Sequence, residues 1–280
     1  MKLGITEYSY HRTAREGKID IETFLGTAAD LGFEGVDLLS YDIFWKDREA
    51  EMEKIPQWLA QTGLTLAAYS TSDNMVTEDT EERDRQVGRV TQAIVDASRL
   101  KAPVLRVFGG SRSSDISKER SLELVIEGFS KVLPVAEREG IVLAIENHGG
   151  VPGTSAEVLQ VIKALDSDYF KACVDVGNFL GAGQEPTEAV PEVMPYAAHI
   201  HLKDMSKLPA QRDDARSQRL GYALESTVLG EGDIDYSVIF PMIEESGYAG
   251  FAALEYEGKK VEETEGVKKS LANIRRLLEK

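Results

Sequence analysis

The sequence predicts an α/β fold, a single (β/α)8 barrel occupying residues 1–280. Three observations predict it. Short apolar stretches alternate strictly with amphipathic helical stretches. Each strand–helix unit takes roughly 35 residues, and eight such units plus loops make a barrel of this kind. Helix ends are marked again and again by a glycine followed at once by a strand: Leu31-Gly32-Phe33-Glu34-Gly35-Val36, Gly63-Leu64-Thr65, Glu139-Gly140-Ile141 and Ser246-Gly247-Tyr248. Glycine takes the left-handed conformation of a helix C-cap without steric cost. The rival is an open doubly wound sheet, which the absence of Gly-x-Gly-x-x-Gly after the first strand weakens.

The elements follow in order. Lys2 to Ser9 reads as a strand, and Asp20 to Leu31 as a helix with Asp20 at its N-cap and Gly32 as its stop. Glu34 to Leu39 is the second strand, Glu49 to Thr62 a helix, and Leu64 to Tyr69 the third strand. Thr80 to Leu100 is a long helix with Val87, Val90, Ile94, Ala97 and Leu100 along one side. Pro103 to Phe108 is the fourth strand, closed by Gly109-Gly110, and Lys118 to Glu139 the next helix. Ile141 to Ile145, Ser155 to Leu165, Phe170 to Val174, Thr187 to Met194 and Ala197 to Leu202 continue the alternation of strand and helix. Asp235 to Ser246 is a helix, Phe251 to Leu254 the eighth strand, and Val261 to Leu278 the closing helix. The strands are short and lack a clean two-residue alternation, as strands covered on both faces should. Met205 to Ile234, polar and rich in Arg and Asp, reads as the most irregular segment.

Composition narrows the function. The formal charge is 32 − 48 = −16. Phosphate backbones need a basic face, so nucleic acid is a poor partner, and an anionic membrane surface gains no support. A 42% hydrophobic and 29% charged chain is of globular composition. Cys173 is the single cysteine and reads as a small buried hydrophobe, which suits a reducing cytoplasm. The start, Met1-Lys2-Leu3-Gly4-Ile5-Thr6-Glu7, lacks a long apolar run, so neither a signal peptide nor a membrane span is expected.

The chemistry sits at the ends of the later strands. The fifth runs into Glu146-Asn147-His148, the sixth into Asp175-Val176-Gly177-Asn178, the seventh into His199-Ile200-His201-Leu202-Lys203-Asp204, and the eighth into Glu255-Tyr256-Glu257. In a barrel the C-terminal ends of all strands converge on one mouth. Glu146, Asp175, His201 and Glu255 are thereby able to meet at one point. Three carboxylates together repel one another, and a divalent cation resolves the repulsion. Oxygen ligands with one imidazole suit Mn²⁺, Mg²⁺, Co²⁺ or Zn²⁺. Any single charged residue at a strand end marks only where the strand leaves the core; four consecutive strands ending this way point to a site.

These motifs, with Gly230-Glu231-Gly232-Asp233-Ile234-Asp235, resemble the xylose-isomerase-like superfamily, and within it the sugar-phosphate isomerase/epimerase group with its ketose 3-epimerases and inosose dehydratases. The resemblance runs over nearly the whole chain. It implies that Glu146, Asp175, His201 and Glu255 are the metal ligands, with Mn²⁺ the first choice of cation. It also implies that Glu146 and Glu255 are the acid/base pair of a metal-dependent sugar isomerase or epimerase working through an enediolate. A dehydratase or lyase of a polyol or keto-sugar is the alternative, and a non-catalytic sugar-binding protein on the same scaffold a further one. The partner implied is a small sugar or polyol, and because related barrels often pair, a homo-oligomer is allowed. Endonuclease IV-like repair needs more histidines than the four present. Two positions depart from the ketose epimerases: Asn178 replaces a histidine and Lys207 an arginine, and both count against ketohexose 3-epimerase activity.

Other residues complete the candidate list. His148 lines the pocket or supports it by a hydrogen bond. His199 is support rather than ligand, because His201 is nearer the mouth. Lys203 and Asp204 either contact substrate or form an ion pair, and Lys207 is able to bind hydroxyls or a phosphate. Arg106, inside the fourth strand, must face the carboxylates or another ion-pair partner, because an unpaired buried charge is costly. Tyr8, His11, Phe44 and Trp45 read as loop surface or packing, and Gly230-Glu231-Gly232 as a turn before a helix.

Overall fold

The strands are β1 (Lys2–Thr6), β2 (Gly35–Leu39), β3 (Thr65–Ser70), β4 (Val104–Val107), β5 (Val142–Glu146), β6 (Phe170–Asp175), β7 (Ala197–Leu202), β8 (Asp204–Pro209), β9 (Tyr222–Thr227) and β10 (Phe251–Leu254) in the computed structural model, which describes residues 1–111, 113–148, 150–211 and 214–279. Eight of them close into a parallel barrel in the order β1-β2-β3-β4-β5-β6-β7-β10, with β10 pairing back to β1. The predicted eighth strand is therefore β10, because the antiparallel pair β8–β9 intervenes.

Helices cover the outside because each carries an apolar stripe. The helix Lys118–Glu139 buries Leu122, Val125, Phe129, Val132 and Ala136, at helical spacing. Phe129 meets Phe170 of β6 with ring centroids 5.1 Å apart. A fully buried side chain of the Val, Leu or Phe type contributes about 1.5–3 kcal/mol. The helix Ile21–Leu31 ends as predicted at Gly32, with φ 80°. No described helix is long and apolar enough to cross a membrane.

Two segments differ from the sequence reading. The first strand stops at Thr6 rather than Ser9, because the Thr6 hydroxyl accepts the Tyr8 N–H and starts a 3-10 turn, Glu7–Tyr10. That turn points Glu7 inward, where its carboxylate accepts the Leu39 N–H at 3.0 Å. The Met205–Ile234 segment is ordered over much of its length, with strands β8 and β9 joined through the short helix Ala215–Leu220; positions 212 and 213 lie outside the described residues.

Asp20 caps Ile21–Leu31 by accepting the Thr23 N–H at 2.9 Å, and Lys46 Nζ lies 2.7 Å from its other oxygen. Lys46 and the Thr23 contacts lower its carboxyl to about 2. The stabilisation is therefore complete above the ordinary aspartate range and lost as pH falls through about 2. Asp20→Ala is expected to cost ~1 kcal/mol at neutral pH, read by denaturant unfolding, and less in strong acid.

Candidate active site

Glu146 ends β5, Asp175 ends β6, and Glu255 follows β10. Asp175 is the register partner of His201, and His201 is the partner of Ala253 on β10. Adjacent parallel strands thus bring the four side chains to one height. Donor atoms of Glu146, Asp175, His201 and Glu255 all lie within 4.8 Å of one another, and all four residues are buried. Such a group is capable of coordinating a divalent cation.

The orientation of His201 carries the strongest signal. Its Nε2 lies 2.9 Å from Asp37 Oδ2, across the barrel on β2, and both residues are fully buried. A buried carboxylate beside Nε2 requires that nitrogen to carry the hydrogen. Ser70 donates to the other Asp37 oxygen at 2.6 Å. Burial raises the Asp37 carboxyl, but His199 and His201 outweigh it and hold the group well below the usual carboxylate range. His201 Nδ1 is left facing inward. It lies 3.8 Å from Glu146 Oε2 and 3.8 Å from Glu255 Oε2 and has no hydrogen-bond partner. Asp175 Oδ2 and Glu255 Oε2 face the same centre and are matched there by the Lys203 ammonium, 3.2 and 2.6 Å away. A buried unsatisfied ring nitrogen is costly, and facing carboxylate oxygens it matches the donor set of a cation.

Amides hold the ligand oxygens in place. Asn178 Nδ2 donates to Glu146 Oε1 at 2.9 Å, and Asn178 N–H donates to Asp175 Oδ1 at 2.9 Å. Asn147 pairs with the Asp175 backbone, donating to its carbonyl at 2.8 Å and accepting its N–H at 2.9 Å. One oxygen of Glu146 and one of Asp175 are thereby fixed, and the other of each is turned toward the centre. Burial raises the Asp175 carboxyl, Lys203 opposes, and Glu255 and Glu146 add to the rise.

Two cations sit among these carboxylates. Arg106 Nε lies 3.2 Å from Glu146 Oε2, its Nη1 donates to the Thr71 carbonyl at 3.0 Å, and its guanidinium packs 4.2 Å over the Phe108 ring. Arg106 thus faces the carboxylates as its place in the fourth strand requires. Lys203 Nζ lies 2.6 Å from Glu255, 2.8 Å from Glu257 and 3.2 Å from Asp175. The carboxylates of Asp37, Glu146, Asp175, Glu255 and Glu257 outnumber these two fixed cations. A cavity of about 760 Å³, lined by Tyr41, Thr71, Arg48, Arg89 and Asp96 among others, includes none of the four donors and is separated from them by Arg106. Tyr41 is the shared wall, its hydroxyl 3.4 Å from Arg106 Nη1.

Several predicted residues have other surroundings. Asp204, expected to contact substrate or form an ion pair, instead accepts the backbone N–H groups of Met205, Gly230, Gly232 and Ile234 at 2.8, 2.8, 3.0 and 3.4 Å. Gly230-Glu231-Gly232 is the other half of that contact. A Cβ on Gly232 would stand 2.2 Å from Asp204 Oδ1. Lys207, expected to bind substrate hydroxyls or a phosphate, pairs with Glu185 at 2.6 Å and lies over the Tyr222 ring. His148 is exposed, its ring 4.1 Å from that of Phe108. His199 stands outside the four-donor group, with Nε2 3.6 Å from Asp37. Asp37 and Glu257 are absent from the sequence-based list. A lone carboxylate amid the apolar residues of β2 was the signal for Asp37, and the Glu-x-Glu spacing after β10 the signal for Glu257.

Residues 25–277 match the profile of a family described as xylose isomerase-like TIM barrel. The chain belongs to that family. Among curated relatives, an inosose dehydratase of Clostridium perfringens is 25% identical over 148 residues, 51% of this chain and 49% of the relative. The chain thus spans about half the length of the inosose dehydratases it matches. A 3-oxo-isoapionate decarboxylase of Pectobacterium atrosepticum is 23% identical over 247 residues, 87% of this chain and 81% of the relative. Among solved structures, an L-ribulose 3-epimerase superposes with a TM-score of 0.80 at 17% identity, covering 99% of this chain and 94% of the other. This xylose isomerase-like barrel thus resembles inosose dehydratases over about half of their length, shares its fold with an L-ribulose 3-epimerase, and carries a candidate metal centre.

Two outcomes follow. Asp37→Asn is expected to weaken Mn²⁺ binding about 10–100-fold, read by calorimetric titration, because the amide no longer fixes the His201 ring as a carboxylate does. Asp204→Asn sets an NH₂ against backbone donors. It is expected to cost ~2 kcal/mol and to open the segment between β8 and β9 to limited proteolysis.

Proposed function

We propose that this protein is a divalent-metal-dependent isomerase or epimerase of a sugar or polyol-derived ketone. It works through an enediolate, with Glu146 and Glu255 as the acid/base pair. The observation that carries the proposal is the placement of His201 Nδ1, 3.8 Å from an oxygen of each glutamate. The ligands would be Glu146, Asp175, His201 and Glu255, and Mn²⁺ suits the donor set best. A divalent cation there supplies a Lewis acid that acidifies the C–H between a carbonyl and its neighbouring hydroxyl.

The chain's own residues do the rest. Arg106 and Asn178 hold Glu146, and Lys203 holds Glu255. One glutamate accepts the carbon-bound proton, and the other returns a proton from the opposite face. The centre inverts and no electrons are gained or lost. Return of the proton to the neighbouring carbon gives aldose–ketose isomerisation instead. Both glutamates are needed for either outcome, whereas simple sugar binding needs neither as an acid or a base.

Dehydration is the second reading, and the inosose dehydratases among the relatives favour it. An enediolate with a hydroxyl on the next carbon expels hydroxide, which leaves as water after protonation. Ketone dehydration and epimerisation beside a carbonyl reach an enolate by loss of a carbon-bound proton, and β-oxo acid decarboxylation reaches one by loss of CO₂, so the relatives' differing names fit one enolate-stabilising centre.

The test is a panel of ketoses and inososes in D₂O with MnCl₂ added, followed by NMR for carbon-bound deuterium and for loss of water. Deuterium at one carbon with retention of all hydroxyls is expected. Glu146→Gln and Glu255→Gln are each expected to slow exchange about 10²–10⁴-fold. Water loss as the main product selects the second reading. Ligand binding without exchange or water loss, or full exchange in the double variant, overturns the acid/base assignment.

A further inference from the structure

Lys203 stands where a loaded metal centre leaves no room for a second cation. Its Nζ is 2.6 Å from Glu255 Oε2 and 3.2 Å from Asp175 Oδ2. Both residues belong to the four-donor group, and Lys203 is the partner of these two inward-facing oxygens. An ammonium and a divalent cation cannot share that pair of oxygens, because like charges at such distances repel strongly away from water. Lys203 also cannot carry its charge into solvent unaided, since the residue is only 2% exposed. Its backbone is tied down as well, the carbonyl accepting the Tyr236 hydroxyl at 2.8 Å. Only the four-carbon stem is able to move.

One carboxylate outside the donor group is within reach. Glu257 Oε1 lies 2.8 Å from Nζ, and its side chain is 27% exposed against 6% for Glu255. It offers the ammonium a place on the outer side of the cluster where one of its three ion pairs is kept.

We propose that Lys203 is a built-in competitor for the cation of this centre and that Glu257 is the positioning residue that receives its ammonium when the centre is loaded. The proposal rests on the metal-centre reading given above. In the unloaded protein Lys203 offsets Asp175 and Glu255, which keeps buried carboxylates from repelling one another. Loading requires a cation that holds the two oxygens better than an ammonium does. A divalent ion meets that condition and a monovalent ion does not, so the lysine also sets a selectivity of charge. Once displaced, the ammonium rests on Glu257 at the mouth.

Competition makes opposite predictions for the two residues. Metal-stripped wild type, Lys203→Met, Lys203→Gln and Glu257→Gln are titrated with MnCl₂ by calorimetry, and each is melted without metal. Either Lys203 variant is expected to melt lower than wild type without metal and to bind Mn²⁺ at least about tenfold more tightly. Glu257→Gln, which removes the receiving carboxylate, is expected to bind Mn²⁺ about tenfold more weakly. If Lys203→Met fails to fold, Lys203→Gln and Glu257→Gln still carry the comparison. Weaker binding in the lysine variants, or affinities all within about twofold of wild type, overturns the inference alone. Failure of every protein, wild type included, to bind Mn²⁺, Mg²⁺, Co²⁺ or Zn²⁺ overturns the metal-centre reading and this inference with it.

Discussion

Carboxylates gathered in a water-poor barrel mouth must be matched by cations or hydrogen bonds, and the upper barrel is arranged around that requirement. Asp37 meets it through Ser70 and the two histidines of β7. Glu146 meets it through Arg106 and Asn178, and Glu255 through Lys203. Each match also aims a lone pair. Asp37 takes the Nε2 side of His201 and so directs Nδ1 to the centre. Asn178 takes one oxygen of Glu146 and one of Asp175 and so directs the others. The same contacts that make burial tolerable preorganise the donors, and no loop has to close to assemble them.

The barrel explains why this is achievable with so few residues. Asp37 and His201 are 164 positions apart in sequence, yet they meet across the interior. Parallel closure brings β2 opposite β7 and places Asp175 and His201 in register, so a single hydrogen bond across the barrel orients a ligand contributed by a neighbouring strand. Helix packing outside the sheet keeps that register rigid. The β8–β9 pair grows directly from the end of β7, and Asp204 ties its root to the turn at Gly230 and Gly232. Lys203 therefore lies between the barrel and a second, ordered layer.

Much of this was legible in the sequence because the signals are local. Helix caps at Asp20 and Gly32, covered apolar strands and a charged residue at each strand end are all visible in short windows. They led directly to the barrel and to the four side chains that meet. What escaped is non-local. Asp204 resembles every other carboxylate at a strand end, and only the turn 26 residues later reveals that it is a structural acceptor. Asp37 sits within a strand rather than at its end, where a search for ligands does not look. The β8–β9 pair joins polar segments across a helix, and neither segment has the apolar alternation by which strands are found. Lys207 sits on β8, and its partner Glu185 belongs to a distant part of the chain.

Proteins similar to this chain in sequence carry the names of a dehydratase and a decarboxylase, and one of the same fold that of an epimerase. On the enediolate chemistry proposed above, a cluster that only stabilises an enolate cannot distinguish among these fates. The distinction must lie in what stands around the cluster and donates or withholds a proton. In this chain the surroundings are unequal. The β4–β5 side presents a guanidinium packed on Phe108, with the ring of His148 beyond it. The β7–β10 side presents an ammonium shared between Glu255 and Glu257. A guanidinium keeps its protons and serves only to orient, and the ammonium keeps its own as well: burial lowers its pKa, but Asp175, Glu255 and Glu257 outweigh that and hold it well above the ordinary lysine range. The side that carries Lys203 and Glu257 is therefore where the four-donor group connects to the exterior, through a carboxylate that is 27% exposed, and it is also the side on which sequence reading was least able to tell a substrate contact from a structural ion pair.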